Sequence, residues 1–168
     1  MNLSQSFEPV WHPKCRVLVL GSSPGLASLK AQSYYAHPRN AFWPIMARLC
    51  GFESGLSYCA RLEFLKVAGV ALWDVAQLCE RQGSLDANIR QQSVEPNDIE
   101  WLAGQMPDLQ LIAFNGGAAE QLYKRHFKSP PPLQFKLMPS TSPAHASLSL
   151  EQKYEYWSEL QKYLRVPG

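Results

Sequence analysis

"RVLVLGSSPG", Arg16 to Gly25, is the stretch on which the fold turns. An unbroken apolar run this short reads as a strand covered on both faces, as parallel sheets are. It ends abruptly in glycines, serines and a proline. Three further stretches repeat the pattern: "GVALWDV" from Gly69, "LQLIAFNGG" from Leu109 and "LQFKLMPSTSP" from Leu133. Each passes from apolar residues into polar or small ones, and helical patterns lie between them. Parallel neighbours need crossover connections, and helices serve as crossovers. The expectation is an α/β chain: a three-layer α/β/α sandwich around a mostly parallel four-stranded central sheet. Such sheets bind ligands at the carboxyl ends of their strands, where "GSSPG", "WD", "FNGG" and "PSTSPAH" would converge.

The intervening segments carry helix punctuation. One helix is expected from Pro44 to a stop at Gly51, and another from about Ser57 to Gly69, since glycine suits a left-handed helix end. "NDIEWLAGQM" opens on Asn97 with Glu100 three residues later, a capping-box-like start. "GAAEQLYKRHF" follows the third strand. "SLEQKYEYWSELQKYL" spaces Leu150, Tyr154, Trp157, Leu160 and Leu164 as one helical face. "SPPP", Ser129 to Pro132, reads as a stiff connector, and "ERQGSLDANIRQQSVEPND" as a long excursion.

With 168 residues, 46% of them hydrophobic, the chain fits one domain over 1–168. Its start lacks the apolar stretch of a secretion signal, and no apolar run approaches the roughly 18 residues of a membrane helix. A soluble, cytoplasmic monomer with no membrane partner is expected. Cys15, Cys50, Cys59 and Cys79 form no C-x-x-C pair, which favours free buried thiols over a metal or iron-sulfur centre. Net charge divides unevenly. Residues 1–50 carry five basic and one acidic side chain, residues 51–110 four and nine, and residues 111–168 seven and four. A basic functional face backed by an acidic surface fits that division, as does a patchy solvated charge.

"GSSPG" also matches the G-x-S-x-G elbow of serine hydrolases, with Ser23 as nucleophile and Asp74 with His126 or His145 as partners. Pro24 argues against it. The residue after the nucleophile donates its N–H to the oxyanion, and proline has none. A serine esterase or acyl hydrolase is therefore the rival reading, and a non-catalytic nucleotide-binding module a third.

"YYAHPRNAFW", Tyr34 to Trp43, sets four aromatics around a histidine, an arginine and an asparagine. Those polar groups are poor core material without buried partners. They suit a flat polar ring held beside a phosphate.

Together, "LVLGSSPGLASLKAQSYYAHPRNAFWPIM", "DVAQLCERQGSLDANI", "NDIEWL", "FNGGAA" and "MPSTSPAHA" resemble the uracil-DNA glycosylase superfamily, most closely its hypoxanthine-DNA (deoxyinosine) glycosylase branch. The resemblance runs in order from about Val17 to Leu148. It implies a base-excision repair enzyme that flips a deaminated base out of DNA and cleaves its N-glycosidic bond with no metal and no cofactor. Hypoxanthine is the implied base, with uracil or xanthine as further substrates. Where many superfamily members hold the attacking water with an acid or amide in the first loop, Gly21 to Gly25 offers none. The branch shares that departure and places the role on Asn40. "PSTSPAHA" corresponds to the loop that presses on the DNA backbone, with His145 where the branch has asparagine.

The residues supply matching chemistry. Breaking a sugar–base bond makes an oxocarbenium-like sugar and an electron-rich departing base, and the site must stabilise both. The Asn40 amide can orient a water and face its dipole to the sugar cation; equally, asparagine is a common turn residue before a helix. Phe42 is the expected base-stacking face, with Tyr34, Tyr35 and Trp43 sharing that work or anchoring the core. Asn115 can offer donor and acceptor to a lactam edge, or cap the next helix. Gly21, Ser22 and Ser23 would let backbone amides approach the base closely. Arg39, Lys14 and the cluster Tyr123 to Lys128 are candidate phosphate contacts, with Ser140, Ser142, Pro143 and His145 along the DNA backbone. His37 is either a phosphate donor or a prop for its loop. Asp74, the acid at a strand end, either orients a water or caps a turn.

Overall fold

A computed structural model describes residues 3–165. They form seven strands and six α-helices. The strands are β1 (Leu3–Gln5), β2 (Val17–Gly21), β3 (Val70–Asp74), β4 (Ala76–Glu80), β5 (Glu95–Pro96), β6 (Leu111–Asn115) and β7 (Gln134–Met138). The helices are α1 (Leu26–Ala31), α2 (Phe42–Cys50), α3 (Tyr58–Ala68), α4 (Ile99–Gln105), α5 (Gly117–His126) and α6 (Leu150–Trp157), the last continuing as a 3-10 helix over Ser158–Tyr163.

The central sheet has the order β3-β2-β6-β7 and every pair in it is parallel. The four strands are those anticipated from the apolar runs. Register aligns their ends: Gly21 pairs with Asp74, Leu20 with Phe114, and Asn115 with Met138. β2, β3 and β6 alternate their side chains between two cores, which explains their unbroken apolar character. Val17, Val19, Val70, Leu72, Leu111 and Ala113 face one core with residues of α2, α3 and α6. Leu18, Leu20, Ala71, Ile112 and Phe114 face the other with residues of α4 and α5. Three layers result, α/β/α.

Helix ends follow local chemistry. α2 stops at Gly51 (φ 73°) and α3 at Gly69 (φ 97°), both left-handed. Ser57 caps α3, and Ser149 with Gln152 forms a reciprocal capping box on α6. Two boundaries differ from expectation. α2 begins at Phe42, two residues before Pro44, whose missing N–H is still tolerated in the first turn. The cap of α4 is Asp98, which accepts from the Trp101 amide; Asn97 is drawn away to donate to the Asp74 carbonyl (2.8 Å) and Ser6 Oγ (2.9 Å).

A second sheet, antiparallel with the order β1-β4-β5, had no signature in the apolar pattern. It forms because β4 leaves β3 after one residue and recruits the N-terminal strand and the end of the expected excursion. Cys15, Cys50 and Cys79 are buried free thiols as expected, and Cys59 is instead exposed on α3. No described helix is long and apolar enough to cross a membrane.

Candidate functional site

A cavity of about 140 Å³ opens at the carboxyl ends of β2, β3 and β6. Its floor is Gly21, Asp74 and Asn115, one residue from each strand end. Its walls come from the loop Ser22 to Gly25, from Tyr34, Tyr35, His37 and Asn40, and from Ser140 to Pro143. The expected convergence of polar loops is therefore present.

The floor is built around an absent side chain. A Cβ on Gly21 would lie 2.5 Å from Asp74 Oδ1 and 3.1 Å from the Tyr35 hydroxyl, so only glycine lets those two groups meet above β2. Tyr35 reaches that place from a left-handed backbone, φ 55°, which costs a non-glycine residue energy. The Tyr35 hydroxyl is buried without a hydrogen-bond partner among the described residues. Burial first, and the neighbouring Asp74 second, hold it a phenol far above the ordinary tyrosine range, while adjacent Asn115 acts weakly the other way.

Asp74 is 3% exposed, and its Oδ2 has no partner among the described residues. Desolvation pushes its carboxyl up to about 7; Arg81 opposes the rise and Asp86 adds to it. A capping role for this side chain, one of the two anticipated, is not what the structure shows. Asp74 reaches the cavity with unused hydrogen-bonding capacity.

Asn115 is the reverse case. Its Nδ2 donates to Thr141 Oγ1 and its Oδ1 accepts from the Thr141 amide, both at 2.9 Å. That closed ring fastens β6 to the Ser140–Pro143 loop and takes one N–H and one lone pair of the amide expected to face a base. Nor does Asn115 cap α5: Gly116 does, with φ 98° and its Cα against Ser140, where a Cβ would meet Ser140 Cβ at 3.0 Å.

Phe42 also stands elsewhere than anticipated. It is fully buried, stacked on Tyr35 at 4.2 Å between ring centroids, edge-on to Trp43 and Trp157, and does not line the cavity. As the first residue of α2 it points into the core, and the aromatic rings lining the cavity include those of Phe7, Tyr34 and Tyr35, the last stacked on Phe42. Trp43 is a core anchor, donating its indole N–H to the Tyr34 carbonyl. Asn40 does line the cavity, half-buried, at the lip anticipated for it. Its Oδ1 accepts from the Phe42 amide at 2.9 Å, so the turn-holding role is real. One lone pair of that oxygen and the whole Nδ2 group remain for a ligand.

The Gly21–Gly25 loop is held by a residue that the linear pattern did not flag. Arg81, just past β4, has a side chain 1% exposed. It donates to the Ser23 carbonyl (3.2 Å), to the Pro24 carbonyl and to Asp86 Oδ1 (3.2 Å), and Asp86 accepts from Ser22 Oγ at 2.6 Å. These bonds fix the carbonyls of Ser23 and Pro24 on Arg81, which lines the cavity together with Asp86. The Ser22 and Ser23 amides make no backbone hydrogen bond among the described residues.

The hydrolase arrangement does not form. The neighbour of Ser23 Oγ is the buried Cys79 thiol, which donates to it at 3.5 Å. His126 lies on α5, and His145 lines a second, shallower cavity with Gly116, Leu137 and Tyr156. His37 reaches the first cavity, but its Nδ1 accepts from the Arg39 amide at 3.0 Å, which is the loop-propping role. Ser140, Ser142 and Pro143 form the rim, Arg39 is exposed beside it, and His145 is set back from it. Among the described residues no three of His, Cys, Asp and Glu are grouped to hold a metal ion.

Three comparisons agree with this geometry. The family described as Uracil DNA glycosylase superfamily matches residues 9–164. Hypoxanthine DNA glycosylase of Methanosarcina acetivorans is 31% identical over 155 residues, 92% of this chain and 96% of that protein. Hypoxanthine DNA glycosylase of Methanosarcina barkeri is 36% identical over 113 residues, 67% of this chain and 70% of that protein. A solution NMR structure from M. acetivorans, described as a candidate uracil DNA glycosylase, superposes with a TM-score of 0.81 at 30% identity, covering 96% of this chain and 98% of that one.

Proposed function

The chain belongs to the uracil DNA glycosylase superfamily, in its hypoxanthine-DNA glycosylase branch, and from that premise we propose that it removes hypoxanthine from deoxyinosine in DNA. Uracil and xanthine are further substrates on this reading, and an abasic site is the product. The observation that carries it is the floor of the cavity. Two unpaired polar groups, Tyr35 Oη and Asp74 Oδ2, are buried together where a flat heterocycle would end its travel.

Extrusion removes the base from its stack at a cost of a few kcal/mol, and the pocket offsets this with an aromatic face and hydrogen bonds. Tyr35 supplies the face, stiffened by Phe42 stacked behind it. Asn40 supports the sugar side. Its oxygen, anchored by the Phe42 amide, has one lone pair to hold a water and a dipole to set against positive charge growing at C1′. The Ser22 and Ser23 amides stay free among the described residues while Arg81 binds the carbonyls of Ser23 and Pro24. Ser140, Ser142, Pro143 and Arg39 meet the DNA backbone, which contributes affinity without reading sequence.

The test is excision from oligonucleotides carrying deoxyinosine, uracil, xanthine or mismatched thymine, with alkali cleavage of the abasic product. Hypoxanthine should be released fastest. Asn40→Ala should slow release by roughly 100-fold or more while DNA binding persists, since water positioning contributes on that scale. Equal rates in mutant and wild type would remove Asn40 from the mechanism.

A further inference from the structure

We propose that Asp74 reads the extruded base, as a neutral carboxyl whose O–H donates a hydrogen bond to the ring carbonyl and whose other oxygen accepts one from the adjacent ring N–H of a lactam edge. This rests on the glycosylase reading above and names the residue that performs its recognition step.

Four observations lead here. Asn115, the group best suited by type, has one N–H and one lone pair tied to Thr141, which fixes its amide to the Ser140–Pro143 loop. Asp74 sits across β2 from it, at the same level of the sheet, buried and with Oδ2 unpaired. Gly21 between them is bare because Asp74 Oδ1 and the Tyr35 hydroxyl occupy the space a Cβ would need. Burial raises the carboxyl to about 7, so a substantial share of it keeps its proton near neutral pH.

The direction of the chemistry selects the neutral form. When the C1′–N bond breaks, its electron pair leaves with the base and spreads onto the ring carbonyl oxygen. A carboxylic O–H aimed at that oxygen gains strength as the charge develops, which lowers the barrier; a carboxylate there would repel it. Water then forms the new bond to C1′, and the proton it loses ends on the departed base, so that water and glycoside become sugar hydroxyl and free base. Asp74 keeps its own proton throughout. Binding of a flat base further excludes water from the floor and favours the neutral form still more.

The groups facing Asp74 are few. Arg81 and Asp86 approach from the β4 side, Tyr34 and Tyr35 from the loop before α2, and Tyr58 from α3. The tyrosines stay phenolic. His37 is the remaining titratable side chain of the cavity and must be separated experimentally.

The experiment is single-turnover excision from a deoxyinosine duplex by the full chain and by Asp74→Asn, Asp74→Leu and His37→Gln, between pH 5.5 and 9, with near-UV circular dichroism to verify folding. Wild-type excision should fall about tenfold per pH unit above the Asp74 pKa. D74N, neutral at every pH and still donor and acceptor, should stay within about tenfold of wild type at pH 6 and lose that alkaline fall. D74L should be down 100-fold or more throughout, and H37Q should keep the fall. A D74N as inactive as D74L overturns the assignment by showing that a carboxylate is required, and so does a D74N that keeps the alkaline fall or a folded D74L that matches wild type. A wild type inert on every lesion at every pH overturns the glycosylase reading and this assignment with it; the other outcomes touch the assignment alone.

Discussion

Asp74 and Asn115 end neighbouring strands on either side of β2, at one level and on one cavity floor, yet their polar atoms have opposite fates. Asn115 spends donor and acceptor on Thr141 and becomes a fastening. Asp74 keeps an oxygen unpaired in a place closed to bulk water. A buried polar group left unsatisfied costs about 1–3 kcal/mol, and one that belongs to a cavity-lining side chain is a group whose bonding a ligand can complete. The difference teaches that residue type is a poor guide to function beside hydrogen-bond occupancy. An amide is the obvious base reader, and here it is structural.

That contrast can be broken in four ways, beginning with the largest effect. Gly21→Ala puts a Cβ 2.5 Å from Asp74 Oδ1 and should expel the carboxyl from its place. Excision should fall by about 1,000-fold, roughly 4 kcal/mol of transition-state stabilisation, with folding kept; a near-normal rate would show that the floor is not used. Phe42→Ala removes a fully buried ring and should destabilise the fold by about 3–5 kcal/mol in urea unfolding. Its excision rate under conditions that keep it folded should fall less than that of G21A, because Tyr35 alone meets the base.

Asp74→Asn sharpens the comparison through stability. The folded carboxyl has a pKa of about 7, above the roughly 3.9 of an unfolded aspartate, so the folded state holds its proton more tightly. Wild type should therefore lose stability as pH rises from about 4 to about 7 and level off above that, while D74N shows no such loss. At pH 8 the variant should be the more stable by about 2–4 kcal/mol. A pH-independent difference in urea midpoints would deny that the carboxyl is held neutral. The smallest effect belongs to Asn115→Ala. It leaves the Thr141 amide and hydroxyl without partners and should cost about 1–3 kcal/mol of stability. Excision by the folded variant should drop far less than in G21A; a larger loss than G21A would return the recognition role to Asn115.

Much of the frame was legible in the linear chain. Four apolar runs ending in small or polar residues foretold a parallel sheet with its ligand end crowded by loops, and Gly51 and Gly69 marked two helix ends at the residue. The antiparallel sheet β1-β4-β5 was not legible. Its strands are two to five residues long and without alternation, and they exist because they pair across the chain. Arg81 was equally silent, since nothing local distinguishes an arginine that will be buried under a loop 57 residues earlier from one that will face water. Among the aromatics, the run Tyr34 to Trp43 promised a stacking surface and the structure supplies one. Which ring presents it depends on where α2 begins and on the left-handed backbone at Tyr35, and neither is written in residue type.

The chain by itself determined the layers of the fold, the end of the sheet that would carry a site, and the kinds of side chain gathered there, because periodicity and turn chemistry act over a few neighbouring residues. Tertiary structure alone decided which of those side chains are free. Hydrogen-bond pairing and desolvation depend on what lies across the cavity, and the partners that occupy Asn115 or abandon Asp74 stand far away in sequence.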